Sequence, residues 1–185
     1  VIDARIPYSS KIIDIDEFIQ NKPKLLIVTK YDLCDKEETK KWINNYERKG
    51  YQTICMDLNT DHIKNKIIEK TNILMKEKND NRIEKGMNIR KPRVLIVGIP
   101  NVGKSTLINH LVGKKTVVTG NKPGVTKNLD WIRVGDAFEL LDSPGILWPK
   151  FENETVAFNL ASFTAIKEEI LPTEKVVCYI LSMLL

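Results

Sequence analysis

A chain of 185 residues, 42% hydrophobic and 29% charged, has room for one α/β domain with an appended segment, and none of its apolar runs reaches membrane-spanning length. Its 29 Lys and Arg against 24 Asp and Glu give a net charge of +5, which leans toward an acidic partner such as nucleic acid. Three cysteines without a C-x-x-C pair, and two histidines far apart, argue against a disulfide scaffold and against a Cys/His metal cluster.

Val1-Ile2-Asp3 reads as the end of a strand, so the chain is expected to be part of something longer. A polar turn at Tyr8-Ser9-Ser10 leads into a short amphipathic stretch ending at Ile19. Lys24-Leu25-Leu26-Ile27-Val28-Thr29 reads as a continuous, mostly apolar run, as suits a strand buried on both faces of a parallel sheet. Asp35 with Glu38 three residues on is a capping box. Trp42, Ile43 and Tyr46 share a face, and Gly50 stands where a helix C-terminus favours glycine, so a helix is expected between them. The next strand covers Tyr51–Met56, and a helix is expected from about Ile63 to Met75. Lys76 to Lys91 turns polar and basic, with Asn79-Asp80-Asn81 and Gly86 interrupting it, and reads as a connector ending at Pro92. Across Lys64–Arg93 there are ten Lys/Arg and four Asp/Glu, which fits either a solvated helix face or contact with RNA.

An apolar run, Val94–Val97, then meets Gly98-Ile-Pro-Asn-Val-Gly-Lys-Ser-Thr106, followed by helical spacing to Val112 and a closing Gly113. Strand, G-x-x-x-x-G-K-S, then helix is the context of a phosphate-binding P-loop. Gly98 and Gly103 let the backbone wrap phosphate with inward N–H groups from Asn101, Val102, Gly103, Lys104, Ser105 and Thr106, and the helix adds its positive end. Lys104 reaches β- and γ-phosphates, and the Ser105 hydroxyl is a Mg²⁺ ligand. Trp131–Val134 and Phe138–Leu141 flank Gly135-Asp136 as a hairpin. The second strand ends in Asp142-Ser143-Pro144-Gly145. There the Asp142 carboxylate is placed to hold the Mg²⁺ shell and the Gly145 N–H to meet the γ-phosphate. Thr126, in Pro123-Gly124-Val125-Thr126, is either the mobile threonine that completes Mg²⁺ coordination or a simple loop residue. Glu154–Ile170 and Glu174–Leu185 read as a helix and a further packed element.

Base selection is expected from Thr29-Lys30-Tyr31-Asp32. The Asp32 carboxylate accepts from guanine N1–H and N2–H₂, while adenine would leave it unpaired. The Lys30 stem covers one face of the base. Thr29 stands where asparagine is commoner, which predicts a weaker tie to the P-loop. A further base-contacting loop is expected at Asp57-Leu58-Asn59. This guanine-selecting motif lies upstream of the P-loop, the reverse of the ordinary order. Both must meet on one nucleotide, so the sheet is expected to be circularly permuted.

With that order, and with Asp3-Ala4-Arg5-Ile6-Pro7, the P-loop through Asn109, Pro123–Thr126 and Leu141-Asp-Ser-Pro-Gly-Ile-Leu-Trp-Pro-Lys-Phe151, the chain resembles the circularly permuted GTPases, in particular the ribosome biogenesis GTPase A family and its mitochondrial relatives. The resemblance implies a three-layer P-loop GTPase fold with a mostly parallel sheet. Residues 1–153 would form the permuted domain, with 76–91 as its connector, and residues 154–185 a helical extension that starts a second domain. It implies a monomeric GTPase that binds rRNA and the large-subunit precursor with GTP and leaves after hydrolysis. The setting would be the bacterial cytoplasm, or the mitochondrial matrix in a eukaryote. In the family an N-terminal segment carries a histidine thought to assist hydrolysis, and this chain starts after it. A few more residues lie between the positions of Ser10 and Lys11, and a C-terminal RNA-contacting domain follows.

Ile146 stands where many GTPases place a water-orienting glutamine, and isoleucine cannot bond that water. Slow intrinsic hydrolysis is therefore expected. Asn101, by resemblance, would ligate a K⁺ ion that supplies charge where an arginine finger otherwise would. Two other readings stay open: a low-turnover binding module whose nucleotide stiffens an RNA-binding surface, and a permuted GTPase acting on the small subunit or another RNA.

Overall fold

The structure, a computed structural model, describes residues 1–59, 62–113, 131–141, 153–166 and 170–185. In chain order it runs β1 (Ile2–Asp3), α1 (Ile15–Ile19), β2 (Leu25–Thr29), α2 (Lys36–Arg48), β3 (Gln52–Cys55), α3 (Ile63–Glu84), β4 (Arg93–Leu95), α4 (Lys104–Val112), β5 (Trp131–Val134), β6 (Phe138–Leu141), α5 (Glu154–Ser162) and α6 (Thr173–Leu184). A single 3₁₀ turn, Tyr31–Leu33, follows β2.

β1, β2 and β3 pair in parallel, with Ile2 opposite Val28 and Ile27 opposite Ile54. β4 pairs in parallel with β6, and β5 lies antiparallel to β6 as the expected hairpin. The Val1 nitrogen donates to the Val97 carbonyl at 2.7 Å and so joins the two groups. The strands stand in the order β1-β2-β3 in one three-stranded group and β4-β6-β5 in the other, and the Val1–Val97 bond brings the β1 edge against the chain just past β4. Strand β1, at the start of the chain, lies beside the P-loop strand that begins 91 residues after Ile2, Arg93 being the first residue of β4. This is the permuted arrangement the motif order requires.

The side-chain period of two sorts β2 between layers. Ile27 joins Ile54, Leu140 and Phe138 under α3 and α4, whose Ile63, Ile67, Leu107, Ile108 and Leu111 are buried there. Leu26 and Val28 face the other way, onto Tyr46 and the flanking Trp42 and Ile43 of α2. Helix α5 covers the same side further along, with Leu160 packed on Ile12, Ile99 and Val102. The result is a three-layer α/β fold with a mostly parallel central sheet. Each fully buried aliphatic of α4 stabilises it by about 1.5–3 kcal/mol.

α2 starts as expected, with the Asp35 carboxylate accepting from the N–H groups of Glu37 and Glu38. Two expectations change. α3 does not stop at Met75 but continues through Asn79-Asp80-Asn81 to Glu84, so much of the supposed connector is helix. Each Asn or Asp costs only about 0.7 kcal/mol in an exposed helix interior, too little to break it. Gly86, at φ +66°, ends it instead, with Gly86 N–H on Ile83 and Met87 N–H on Arg82. α5 ends at Ser162 rather than Ile170, because Thr164 turns left-handed at φ +57° and Ala165 N–H closes back on Leu160. α6 lies largely exposed, held to α5 by Tyr179 stacked on Phe158 and bonded to Asn159.

α1 is anchored through one carboxylate. Asp16 accepts from Lys11, Lys24 and the Tyr51 hydroxyl. Burial would raise its pKa, but the bonds from Lys11, Tyr51 and Lys24 outweigh burial and hold it at about 2. A carboxylate depressed below its unfolded value of about 3.9 adds stability above that value and loses it as pH falls toward the folded one. Asp16→Asn should therefore melt at lower temperature than wild type at pH 7. The gap should close between about pH 4 and about 2 in thermal melts.

Candidate functional site

Three loops leave the C-terminal ends of the parallel strands β2, β3 and β4, the edge at which open α/β sheets gather ligands. The P-loop follows β4 and feeds α4, which starts at Lys104 with the N–H groups of its first turn unbonded within the helix. Gly98 has no room for a side chain, since a Cβ there would lie 2.6 Å from the Val1 carbonyl oxygen. Gly103 carries φ +95°, and a Cβ on it would sit 2.7 Å from Leu58 Cδ1. Leu58 is buried, so the loop after β3 rests directly on the P-loop. Asp57 Oδ1 accepts from the Asn59 N–H and shapes that loop. Lys104 is buried, and its Nζ donates to the Ile99 carbonyl at 2.7 Å, inside the curl of the P-loop. Ser105 and Thr106 are half-buried beside it, and Val102 is buried against α5.

Thr29 is fully buried, and its Oγ1 lies 2.7 Å from the Val102 carbonyl and 3.0 Å from that of Ile2. The tie to the P-loop is thus made. A hydroxyl has one proton for these two carbonyls, where an asparagine amide would have two, and in that sense the weaker tie expected from the sequence has a physical basis. Thr29→Val keeps the shape and leaves both carbonyls without that donor. It should cost about 1–3 kcal/mol in chemical denaturation.

Lys30 turns left-handed at φ +55°, and its Nζ donates to Asp3 Oδ2 at 2.8 Å and to the Asn101 carbonyl at 2.9 Å. The amine is therefore fixed at the P-loop, and the stem spans the gap between the two loops. Tyr31 N–H donates to Met56, which bonds the base loop to the end of β3. Asp32 is exposed, in the 3₁₀ turn, with no hydrogen bond or ion pair to another described residue.

Two residues now at the centre were not singled out as site residues. Asp3 is buried and takes Arg5 Nη2 at 2.7 Å as well as Lys30. Burial alone would raise its pKa, but the bonds from Arg5 and Lys30 prevail and bring the carboxyl below its ordinary range. The Arg5 guanidinium in turn lies 4.3 Å from the centroid of the Phe163 ring at the end of α5. The signal was the Asp3-Ala4-Arg5 stretch itself, but the Lys30 partner is 27 residues away and follows only from the β1–β2 register. Asn101, at φ +60°, donates its Nδ2 to the Thr164 carbonyl. Thr126, Asp142 and Gly145, with Pro123–Val125 and Ile146, lie outside the described residues.

The described part can enclose an anion at the start of α4, with Lys104 as its counter-charge, and the loop bonded to the P-loop through Thr29 and Lys30 carries an acceptor, Asp32, for paired donors of a base. Among the described residues no group of three or more His, Cys, Asp or Glu is gathered to hold a metal. The nearby donor set, the Ser105 hydroxyl, suits Mg²⁺ bound mainly through phosphates and water. Asn101, its Nδ2 committed to Thr164, keeps Oδ1 as the amide's acceptor for a cation.

The family described as 50S ribosome-binding GTPase matches residues 93–181, the half that starts with the P-loop strand. Ribosome biogenesis GTPase A of Priestia megaterium is 46% identical over 187 aligned residues, spanning 100% of this chain and 64% of the relative. The protein of that name from Bacillus cereus is 46% identical over 98% of this chain and 61% of its own length. The GDP-bound structure of TM YlqF and the GNP-bound structure of YlqF from T. maritima superpose with TM-scores of 0.65 and 0.66 at 26% identity. They cover 95% and 96% of this chain and 64% of theirs. The chain therefore spans somewhat under two thirds of the length of these relatives.

Proposed function

The chain belongs to the circularly permuted P-loop GTPases of the ribosome biogenesis GTPase A family, and from that premise we propose that it binds and hydrolyses GTP as an assembly factor of the large ribosomal subunit. The observation that carries this reading is the junction of the two loops. Thr29 and Lys30 of the Thr-Lys-Tyr-Asp loop are bonded to Val102 and Asn101 of the P-loop, so one ligand can meet both.

In this reading the β- and γ-phosphates lie at the start of α4, against the N–H groups of Asn101 to Thr106 and the Lys104 amine. Asp32 accepts from guanine N1–H and N2–H₂, Lys30 and Tyr31 flank the base, and Asp57-Leu58 close its far side. Ser105, Thr126 and Asp142 would hold Mg²⁺, which neutralises charge on the phosphates when bound. Asn101 Oδ1 would face K⁺. Water attacks the γ-phosphorus as the bond to the β–γ bridging oxygen breaks, and the Lys104 ammonium stabilises the charge that develops on the oxygens. Gly145 N–H meets the γ-phosphate. With Ile146 next to it no side-chain amide orients the water, and intrinsic turnover is slow. The partner is rRNA of the large-subunit precursor, bound in the GTP state and released after hydrolysis by a protein that is monomeric away from the ribosome. The bacterial relatives favour the cytoplasm. Among the described residues no helix is long and apolar enough to cross a membrane. The division into a nucleotide domain, 1–153, and a helical extension, 154–185, is part of this proposal. α5 adheres to the former through Leu160.

The test is co-sedimentation of the protein, loaded with a non-hydrolysable GTP analogue, with separated subunits and their precursors. Enrichment on the large-subunit precursor that is lost with GDP supports the reading. Pelleting with the small subunit, or with neither, overturns the client. GTP turnover should be several-fold faster in K⁺ than in Na⁺, and equal rates would remove Asn101 from its cation role.

A further inference from the structure

The site is tied to the C-terminal helices by a chain of contacts that nucleotide binding does not require. Asp3, the buried last residue of β1, joins Arg5 on one side and Lys30 on the other. Lys30 holds the Asn101 carbonyl, and the Asn101 amide holds the Thr164 carbonyl. Arg5 returns to the same place by lying over Phe163, the residue before Thr164. The circuit is closed: guanine loop, P-loop, α5 terminus, Arg5, Asp3.

The backbone carries a second, independent mark of this circuit. Among the described residues five that are not glycine adopt positive φ, and three of them, Lys30, Asn101 and Thr164, are its members. Left-handed backbone is costly for a lysine and more so for the β-branched threonine, and such conformations persist where surrounding contacts fix them. Thr164 has no glycine's excuse. Its left-handed turn aims the carbonyl at Asn101 while ending α5, and α6 is fastened to α5 by the Phe158–Tyr179 stack.

We propose that Asp3 and Arg5 are positioning residues that couple nucleotide occupancy to the packing of the α5 terminus, and hence to α6. The proposal rests on the nucleotide-binding reading above. Binding of a guanine nucleotide fixes Lys30 and Asn101, which fixes Thr164 and Phe163. By reciprocity, anything that reorders α5 and α6 alters nucleotide affinity by the same factor.

The experiment is a fluorescent-GDP titration of the full chain and of Phe163→Leu, Arg5→Gln and the double variant. Phe163→Leu keeps an apolar side chain and lies outside the nucleotide-binding machinery. Each single variant should weaken GDP binding about threefold to tenfold, and the double variant no more than the worse single, as members of one network do. Phe158→Leu, which loosens the α5–α6 stack without contacting Arg5, should weaken GDP binding in the same direction but by less than Phe163→Leu. Hydrogen exchange adds a readout that loss of stability would not give. GDP should protect the amides of 160–166 in wild type and not in Asp3→Asn. Unchanged affinity in Phe163→Leu or multiplicative effects in the double variant would each overturn the coupling, and unchanged affinity in Phe158→Leu would overturn its extension to α6. A wild-type chain that fails to bind GDP refutes the GTPase reading itself, a separate outcome.

Discussion

Lys104→Ala is expected to lower GTP turnover by about 10²–10³-fold, the usual consequence of removing one preorganised group aimed at developing charge. The side chain is buried at the start of α4, and its amine already sits inside the P-loop curl on the Ile99 carbonyl. Little reorganisation is then needed when phosphate arrives. A cation on a short lever, held out of water, interacts with phosphate oxygens far more strongly than it would at an open surface. Alanine is the best helix former and sits at the first position of α4, so the helix itself survives. The loss should fall on the chemical step more than on fold or on binding of the base. Single-turnover phosphate release, with circular dichroism as the control for folding, is the measurement. A rate within threefold of wild type in a folded variant would mean that the P-loop lysine has no part in catalysis.

What the sequence revealed and what it hid divide along a physical line. Periodicity and caps act over a few residues, and the elements they govern are where the pattern placed them: α2 behind Asp35, the Trp131–Leu141 hairpin, α4 between Gly103 and Gly113. Convergence of Thr29–Asp32 with Gly98–Thr106 was readable too, but by chemistry. A base and its phosphates belong to one molecule, so the two loops had to meet whatever their order. The long reach of α3 was obscured because its charged residues are scattered round the helix, leaving no stripe to follow, and because Asn and Asp only weaken a helix that Gly86 ends. Asp3, Arg5 and Thr164 were hidden for another reason. Their meaning lies in partners 27 residues away for Asp3 and 63 for Thr164, and in left-handed backbone at residues that carry no glycine. Local pattern cannot encode either.

Asp32→Asn should both weaken guanine nucleotide and create affinity for xanthine nucleotide. Guanine offers two donors on one edge, N1–H and N2–H₂, and an ionised carboxylate offers two acceptors in the matching geometry. Asparagine keeps one acceptor and replaces the other with a donor, so one guanine donor meets an N–H. Losing a bond to a charged group costs about 1.5–3 kcal/mol, and leaving its partner unpaired adds to that. Affinity for GDP should accordingly fall by about 10²–10³-fold. Xanthine presents N1–H and a carbonyl at C2, a donor and an acceptor, which is the pattern the amide complements. Against wild-type Asp32 that carbonyl would face a second acceptor and be repelled. The preference between the two bases should therefore invert, with xanthosine diphosphate binding the variant more tightly than GDP. The exposed position of Asp32 in a 3₁₀ turn, without an ion pair to any other described residue, means the substitution breaks no salt bridge and should leave the melting temperature within about 2 °C. Competition titrations with the two diphosphates read the outcome directly. A variant that loses GDP without gaining the xanthine nucleotide would show that Asp32 supports the loop rather than reading the base. Retention of GDP affinity would place base recognition elsewhere, and with it the meaning of the reversed motif order.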